Sequence, residues 1–169
     1  MVETSRLIIT PLSYAQLHTY LRANNHFESE MALTDTGRTI SAEVKEMVES
    51  FTLPMMKLSP ENNYLYITFW IVVEKLTNSI VAELGFKGEP NDKGEIEIGY
   101  GTMPACRSRG IMTEAIRGMI LWAREQEEIK IVRAETNQLN AASIRVLKKN
   151  GFVLFDKKEE MLWWKMNVK

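Results

Sequence analysis

The stretch that decides the fold reads IGYGTMPACRSRGIMTEA and covers residues 98–115. It begins with a strand pattern, continues through a loop that carries arginines and a glycine, and passes directly into an apolar stripe at helical spacing. A helix that starts this way directs its first backbone N–H groups and its positive dipole end at one spot. In the loop, Arg107 and Arg109 can neutralise negative charge, and Gly110 lets the backbone approach a ligand closely. The pattern predicts a phosphate-binding turn; the same residues also allow an ordinary solvated turn.

The patterns on either side of this turn predict a mixed α/β chain, with one domain over residues 1–169. Ser13 and Gln16 form a capping box that opens a first helix, and Ser41 caps a second helix that we expect to end at Pro54. Antiparallel strands come first, and a strand, helix, strand, helix, strand passage follows. The other predicted elements are strands over residues 6–11, 64–74, 79–87, 95–102, 129–136, 152–156 and 161–167, helices over 113–128 and 141–150, and an irregular or weakly helical segment over 24–39.

The composition narrows the classes of function. The chain has 169 residues, 25% of them charged, and a formal net charge of −1, so its charge balance favours neither nucleic acid nor an anionic membrane as a partner. Its most apolar stretch, residues 64–73, is about half as long as the ~20 residues that a membrane-spanning helix needs. A single cysteine and the lack of a signal-peptide pattern favour a cytoplasmic protein. The two histidines have no second ligand at metal spacing, so we expect no metal site.

Residues 107–112, RSRGIM, resemble the Q/R-x-x-G-x-G/A signature of the GNAT family of N-acetyltransferases. Further agreement comes from RLIITPL at residues 6–12, EIGY at 97–100, NAAS at 140–143 and NGF at 150–152. The pattern is most similar to that of the ribosomal-protein N-terminal acetyltransferases of the RimJ and RimL type. The resemblance implies a GNAT-like fold around a central mixed sheet and acetyl-CoA as co-substrate. It also implies direct transfer of the acetyl group to a primary amine, either a protein N-terminus or a small amine.

The resemblance also implies which residues bind the cofactor. The signature residues expected at the pyrophosphate are Arg107, Ser108, Arg109, Gly110, Ile111, Met112 and Thr113. The backbone N–H around Met103 would polarise the acetyl carbonyl, Asn140 would bind the pantetheine arm, and Ser143 would approach the CoA sulfur. Asn140 and Ser143 also suit the cap of a helix. Met112 replaces the usual glycine or alanine, and Leu147 replaces a tyrosine that many members use as general acid. Ser143 is then the expected acid.

Two strand carboxylates are candidates for the base that takes the proton from the amine. Glu97 is the first candidate, because the resemblance places it where some family members carry a catalytic glutamate. Glu83, in the neighbouring predicted strand, is the second. Either carboxylate could act directly or through water. Each could instead point to solvent from an alternating strand.

The sequence does not decide the acceptor or the acyl group. The acceptor site is expected in residues 24–38 and 156–160, where Glu28, Glu30 and Asp35 would suit a cationic amine. The signature does not separate acetyl from succinyl or other short acyl groups. Loss of the usual tyrosine leaves a catalytically inactive CoA-binding sensor as an alternative. Dimers are common among proteins with this resemblance, so the expected partners are acetyl-CoA, an amine acceptor and a second copy of the chain.

Overall fold

The strands of the chain form one mixed sheet. The computed structural model describes residues 1–22, 26–59 and 64–169. Within these ranges the strands are β1 (Val2–Glu3), β2 (Leu7–Pro11), β3 (Phe69–Glu74), β4 (Ser79–Phe86), β5 (Glu95–Thr102), β6 (Ile131–Asn137), β7 (Val153–Lys158) and β8 (Met161–Asn167). They join in the order β1-β2-β3-β4-β5-β6-β8-β7, antiparallel throughout except for the parallel pair β5 and β6. The predicted mixed fold, with antiparallel strands followed by alternating strands and helices, is confirmed.

Helices cover both faces of this sheet. In the described ranges they are α1 (Tyr14–Tyr20), α2 (His26–Glu30), α3 (Ala42–Met47), α4 (Leu53–Leu58), α5 (Ile111–Glu125) and α6 (Ala141–Lys149). The predicted capping box is present at α1, where Gln16 N–H donates to Ser13 Oγ and Ser13 N–H donates to Gln16 Oε1. The segment predicted to be irregular contains α2, and its residues 24–25 lie outside the described residues.

The helix that begins after Ser41 does not end at Pro54, contrary to the prediction. It continues from α3 through a π-helical turn, Val48–Thr52, into α4. In a regular helix, a proline loses one backbone hydrogen bond and presses its ring against the carbonyl four residues earlier. Just before Pro54 the hydrogen bonds already follow the π pattern, with Leu53 N–H donating to Val48 O five residues earlier, and the helix continues past the proline in this shifted pattern.

The strand predicted from residue 64 begins only at Phe69. Tyr64–Tyr66 form a 3-10 turn instead, and the Trp70 indole N–H donates to Leu65 O at 3.0 Å across it. An apolar run identifies a buried segment but does not show where its strand pairing begins. The contact of the fully buried Trp70 with the preceding turn sets this boundary.

The parallel pair β5 and β6 opens a gap in the sheet. Their ladder covers only residues 95–97 of β5, opposite residues 131–133 of β6. Beyond it, β5 stays paired with β4 as far as Thr102, while β6 stays paired with β8 as far as Asn137. Beyond this ladder β5 and β6 are no longer paired with each other, so the two strands diverge.

Two apolar layers hold the strands and helices in place. Each large aliphatic side chain buried there contributes about 1.5–3 kcal/mol to the stability of the fold. The layer under α5 and α6 includes Ile98, Ile116, Met119, Leu147 and Trp164. The layer under α1 to α4 includes Leu17, Tyr20, Phe27, Val48 and Ile71. Within the described ranges, none of the helices is both long enough and apolar enough to cross a membrane.

Candidate active site

A groove of about 620 Å³ lies beside the end of β5, beyond the residues at which β5 pairs with β6. Its walls are the end of β5, the loop that follows, the first turn of α5 and the exposed side of α6. All signature residues from 107 to 113 line it, together with Asn140 and Ser143. The structure therefore brings together the residues that the sequence predicts for cofactor binding, with the exception of Met103.

The turn before α5 presents backbone N–H groups to this groove. Ser108 and Gly110 both have left-handed backbone conformations, with φ angles of 61° and 75°. Such residues fold successive main-chain N–H groups into a concave nest that suits anions. Gly110 is the N-cap of α5, a 15-residue helix that begins at Ile111, earlier than the predicted residue 113. The positive end of the helix dipole reinforces the nest. These features fit a pyrophosphate group.

The core accommodates the two residues that depart from the family pattern. Met112 is only 5% exposed, and its side chain packs into the layer under α5 while its backbone stays in the first turn of the helix. Leu147 is fully buried in the same layer and does not line the groove. At both positions the side chain contributes packing.

The two arginines of the turn have different surroundings. Arg109 Nη2 donates to Glu74 Oε1 at 2.6 Å, and this hydrogen bond holds the pKa of Glu74 below its usual value. Arg109 also lines the groove, so its charge is shared between Glu74 and the groove, and its predicted role at the pyrophosphate stays a prediction. Arg107 is exposed at the edge of the groove, with its Nε 3.4 Å from Thr102 O. Arg107 is therefore the arginine better placed to neutralise an anion.

Further positive charge comes from α6. Arg145 and Lys149 lie one turn apart on its exposed side, and both line the groove. Sequence reasoning misses them, although a basic pair at i and i+4 after the Asn140 cap indicates one charged helix face.

A hydrogen-bond network fixes the turn to the first strands. Glu114, in the first turn of α5, accepts from Thr4 Oγ1 at 2.7 Å, from Arg6 N–H at 2.9 Å and from Arg6 Nε at 2.7 Å. Arg6 Nη1 also donates to Arg109 O at 3.2 Å. Burial acts to raise the pKa of Glu114, but the hydrogen bonds from Thr4 and Arg6 outweigh it, and the pKa lies below its usual value.

A pair of hydroxyl groups lies at the groove between β5 and α6. Tyr100 Oη and Ser143 Oγ are 2.7 Å apart, and either can be the donor. Burial raises the pKa of Tyr100 despite the opposing effect of Ser143, so the phenol stays protonated at neutral pH. Asn140 accepts from Ser143 N–H at 3.1 Å, so this residue caps α6 and also lines the groove. Sequence reasoning misses Tyr100; the available signal is its place after Ile96 and Ile98 on the strand face turned towards α5.

Met103 lies outside the groove, contrary to the prediction. Its N–H donates to Val81 O at 3.0 Å, and its side chain packs in the layer under α1 to α4. In this arrangement the N–H is not available to an acetyl carbonyl. Because backbone N–H groups alternate in direction along a strand, those of Tyr100 and Thr102 point towards the gap instead.

Glu97 does not line the groove. It belongs to the part of β5 that is still paired with β6, and its carboxylate forms an ion pair with Lys87. Its side chain is 31% exposed. This placement agrees with the solvated-face alternative and disfavours Glu97 as the base.

Glu83 does not line the groove either, and it lies on the sheet face covered by α1, where it contacts Tyr20. Its register partner is Gly101, which lines the groove. Opposite residues share a face, and a Cβ on Gly101 would meet no heavy atom within 4 Å, so the position across from Glu83 has free space. Tyr20 Oη donates to its carboxylate. Burial raises the pKa of Glu83, against the lowering effects of the Tyr20 hydrogen bond and the Arg38 charge.

The three carboxylates predicted to attract a cationic acceptor do not act together. Glu28 is buried and accepts from Arg38 Nε at 2.8 Å, whereas Glu30 is exposed. Asp35 is exposed and accepts from Gly37 N–H at 2.8 Å. Across the residues that the structure describes, no group of three histidine, cysteine or acidic side chains could hold a metal ion.

Comparison with known proteins agrees with this geometry. A family model described as acetyltransferase (GNAT) domain matches residues 6–153. The chain is 28% identical over 164 residues to the uncharacterized N-acetyltransferase YjdG of Bacillus subtilis (strain 168), and the match covers 97% of this chain and 96% of that protein.

Two solved structures show the same fold. The ribosomal-protein-S5-alanine acetyltransferase from Vibrio fischeri has a TM-score of 0.69 at 18% identity, covering 98% of this chain and 95% of that one. RimL, the ribosomal L7/L12 alpha-N-protein acetyltransferase, was solved in complex with coenzyme A; its TM-score is 0.67 at 14% identity, covering 97% of this chain and 95% of that one. With the family model spanning most of its length, the chain belongs to the GNAT family and is an acyl-CoA-dependent N-acetyltransferase.

Proposed function

We propose that this enzyme transfers the acetyl group of acetyl-CoA to a primary amine by direct attack, with a protein N-terminus as the first acceptor to test. The observation that carries the proposal is the nest at Ser108 and Gly110, which shares one groove with the Tyr100–Ser143 hydroxyl pair. The two solved relatives are both ribosomal-protein acetyltransferases, which supports a protein acceptor.

The groove can hold acetyl-CoA along its length. The N–H groups of the turn and of the first turn of α5 would bind the pyrophosphate, with Arg107, Arg145 and Lys149 supplying positive charge. Asn140 and the outward N–H groups of β5 lie where the pantetheine arm would run. Thr102 N–H replaces Met103 N–H as the proposed donor to the acetyl carbonyl, because it points into the gap.

Glu83 is the proposed base. The attacking amine must be neutral, so a carboxylate with a raised pKa is suited to remove its proton, directly or through a water molecule. The amine nitrogen then forms a bond to the thioester carbon, and the carbon–sulfur bond breaks. The attacking nitrogen loses its second proton to solvent as the amide forms. Ser143 would give its hydroxyl proton to the leaving thiolate and regain one from solvent through Tyr100, which takes up a proton for the one that it passes on. Glu83 returns its proton to solvent, so an ammonium ion and a thioester give an amide, a thiol and one released proton.

Isothermal titration with acetyl-CoA tests the cofactor site. Gly110→Asp places a carboxylate in the nest, and aspartate tolerates the left-handed backbone. Like-charge repulsion of about 3 kcal/mol should weaken binding about 100-fold. Gly37→Asp is the matched control, since Gly37 is also left-handed, with a φ of 66°, and has no heavy atom within 4 Å of a Cβ.

Thiol release in the presence of acceptors tests the reaction itself. Peptides with free N-terminal alanine or serine should be turned over, and the same peptides with blocked N-termini should not. Turnover of small amines alone would redirect the proposal to a small-molecule acceptor. Tight binding of acetyl-CoA without turnover of any amine would instead support the inactive sensor, and preference for succinyl-CoA would change the acyl group.

A further inference from the structure

A polar cluster is buried on the sheet face opposite α5. It consists of Tyr20 at the end of α1, Glu28 on α2, Arg38 in the following loop and Glu83 on β4. Tyr20 is fully buried and Glu28 is 3% exposed. The Arg38 side chain is only 5% exposed.

The Tyr20 ring is at the centre of the contacts within this cluster. The Arg38 guanidinium carbon lies 3.9 Å from the ring centroid, and Arg38 Nε donates to Glu28 Oε1 at 2.8 Å. Arg38 Nη2 lies 3.4 Å from Tyr20 O. Phe27 packs against the same ring edge-on, with centroids 5.0 Å apart. The ring is thus held by neighbours from α2 and from the loop, and its hydroxyl donates to Glu83.

A contribution to stability alone does not explain why Arg38 and Glu28 form an ion pair in the protein interior. Removing an ion pair from water costs several kcal/mol per ion, and apolar residues of similar volume often stabilise such a site equally well. Glu28 Oε2 is buried without a hydrogen-bond partner among the described residues, which adds to that cost. The pair therefore points to a role beyond packing.

We propose that Arg38 is a positioning residue: anchored by Glu28 and stacked on Tyr20, it holds the phenol hydroxyl against Glu83 and so fixes the carboxylate that receives the proton of the acceptor amine. The inference rests on the proposed role of Glu83. It assigns no contact with substrate to Arg38, Tyr20 or Glu28. The titratable and charged groups facing Glu83 are Tyr20 from α1 and Arg38 from the loop, with Glu28 behind them.

The test is the pH dependence of kcat/KM for a peptide acceptor in variants of this cluster. A hydrogen bond to a carboxylate favours its charged form, so Tyr20→Phe should move the acidic limb of the profile to higher pH, by about one unit. Arg38→Lys keeps the positive charge but loses the flat stacking surface. If Arg38 acts by holding Tyr20, Arg38→Lys should shift the limb in the same direction. In the Tyr20→Phe background it should add nothing.

The matched control is Tyr66→Phe, which removes another phenol-to-carboxylate hydrogen bond, that of Tyr66 with Glu128. This pair lies away from the groove, so the control should leave the acidic limb in place. Thermal melting of each variant separates stability from positioning. A lowered melting temperature in Arg38→Lys with an unmoved limb would overturn the proposal, and so would a wild-type profile in Tyr20→Phe.

A second readout does not depend on turnover. Carbon-13 labelling of glutamate side chains allows the Glu83 carboxyl to be titrated by NMR, with Glu83→Gln identifying its signal. Tyr20→Phe and Arg38→Lys should both raise the Glu83 midpoint, and unchanged midpoints refute the positioning role. Should the midpoints move while Glu83→Gln leaves kcat/KM intact, the cluster would position Glu83 but the base proposed above would be wrong.

Discussion

Removing the Tyr100 hydroxyl offers the sharpest test of the groove. Tyr100 Oη and Ser143 Oγ are 2.7 Å apart, so each hydroxyl constrains the other. If Ser143 delivers the proton to the thiolate and Tyr100 orients it, Tyr100→Phe loses one neutral hydrogen bond. That bond is worth about 1.4 kcal/mol, which corresponds to a roughly tenfold fall in kcat.

Ser143→Ala removes the donor itself and should lower kcat by about 100-fold or more, the range of general acid catalysis. The double variant should then match Ser143→Ala, because Tyr100 acts through Ser143. The assay is thiol release at saturating acetyl-CoA and peptide, with calorimetry to show that acetyl-CoA still binds. A larger loss in Tyr100→Phe than in Ser143→Ala, or losses that multiply in the double variant, would refute this order of action.

Three further outcomes follow from the same structure. Glu83→Gln should lower kcat/KM by about 100-fold and abolish its acidic limb, whereas Glu97→Gln should leave both within about twofold; the reverse pattern would restore Glu97 as the base. Gly101→Val should fold normally, because a Cβ there meets no heavy atom within 4 Å, and should weaken acetyl-CoA binding, because its side chain adds volume to the groove wall; Gly85→Ala should lower the melting temperature because its Cβ would lie 2.9 Å from Thr68 O. Glu114→Gln should reduce the free energy of unfolding at neutral pH by about 1 kcal/mol. Since the pKa of Glu114 is lowered, its contribution is present above the unfolded-state pKa of about 4.3 and is lost as the pH falls through the lower folded-state pKa, so urea melts of the two proteins should converge only below that folded-state pKa.

Local chemistry made the strand-to-helix turn and the caps predictable from sequence. Gly110 adopts the left-handed backbone conformation that is needed just before α5. Asn140 accepts a hydrogen bond from the first turn of α6. The bounds of β5 match the predicted residues 95–102, because turn residues flank that strand, and the bounds of β8 match the predicted residues 161–167. Such features depend on neighbours within a few positions, which the sequence displays directly.

Contacts between distant segments were not predictable in this way. The sequence does not show that the hydroxyl groups of Tyr100 and Ser143 lie within hydrogen-bonding distance of each other. It also does not show that Arg109 forms an ion pair with Glu74. The sequence also did not show that Glu97 lies where β5 is still paired with β6, or that Glu83 lies opposite Gly101 in the groove wall, because both depend on the strand register. By itself, the sequence determined the family, the order of elements and the strand-to-helix turn that starts α5, all of which rest on local patterns. The tertiary structure alone decided which side chains share the site, because side-chain direction and strand divergence arise only when the sheet is assembled.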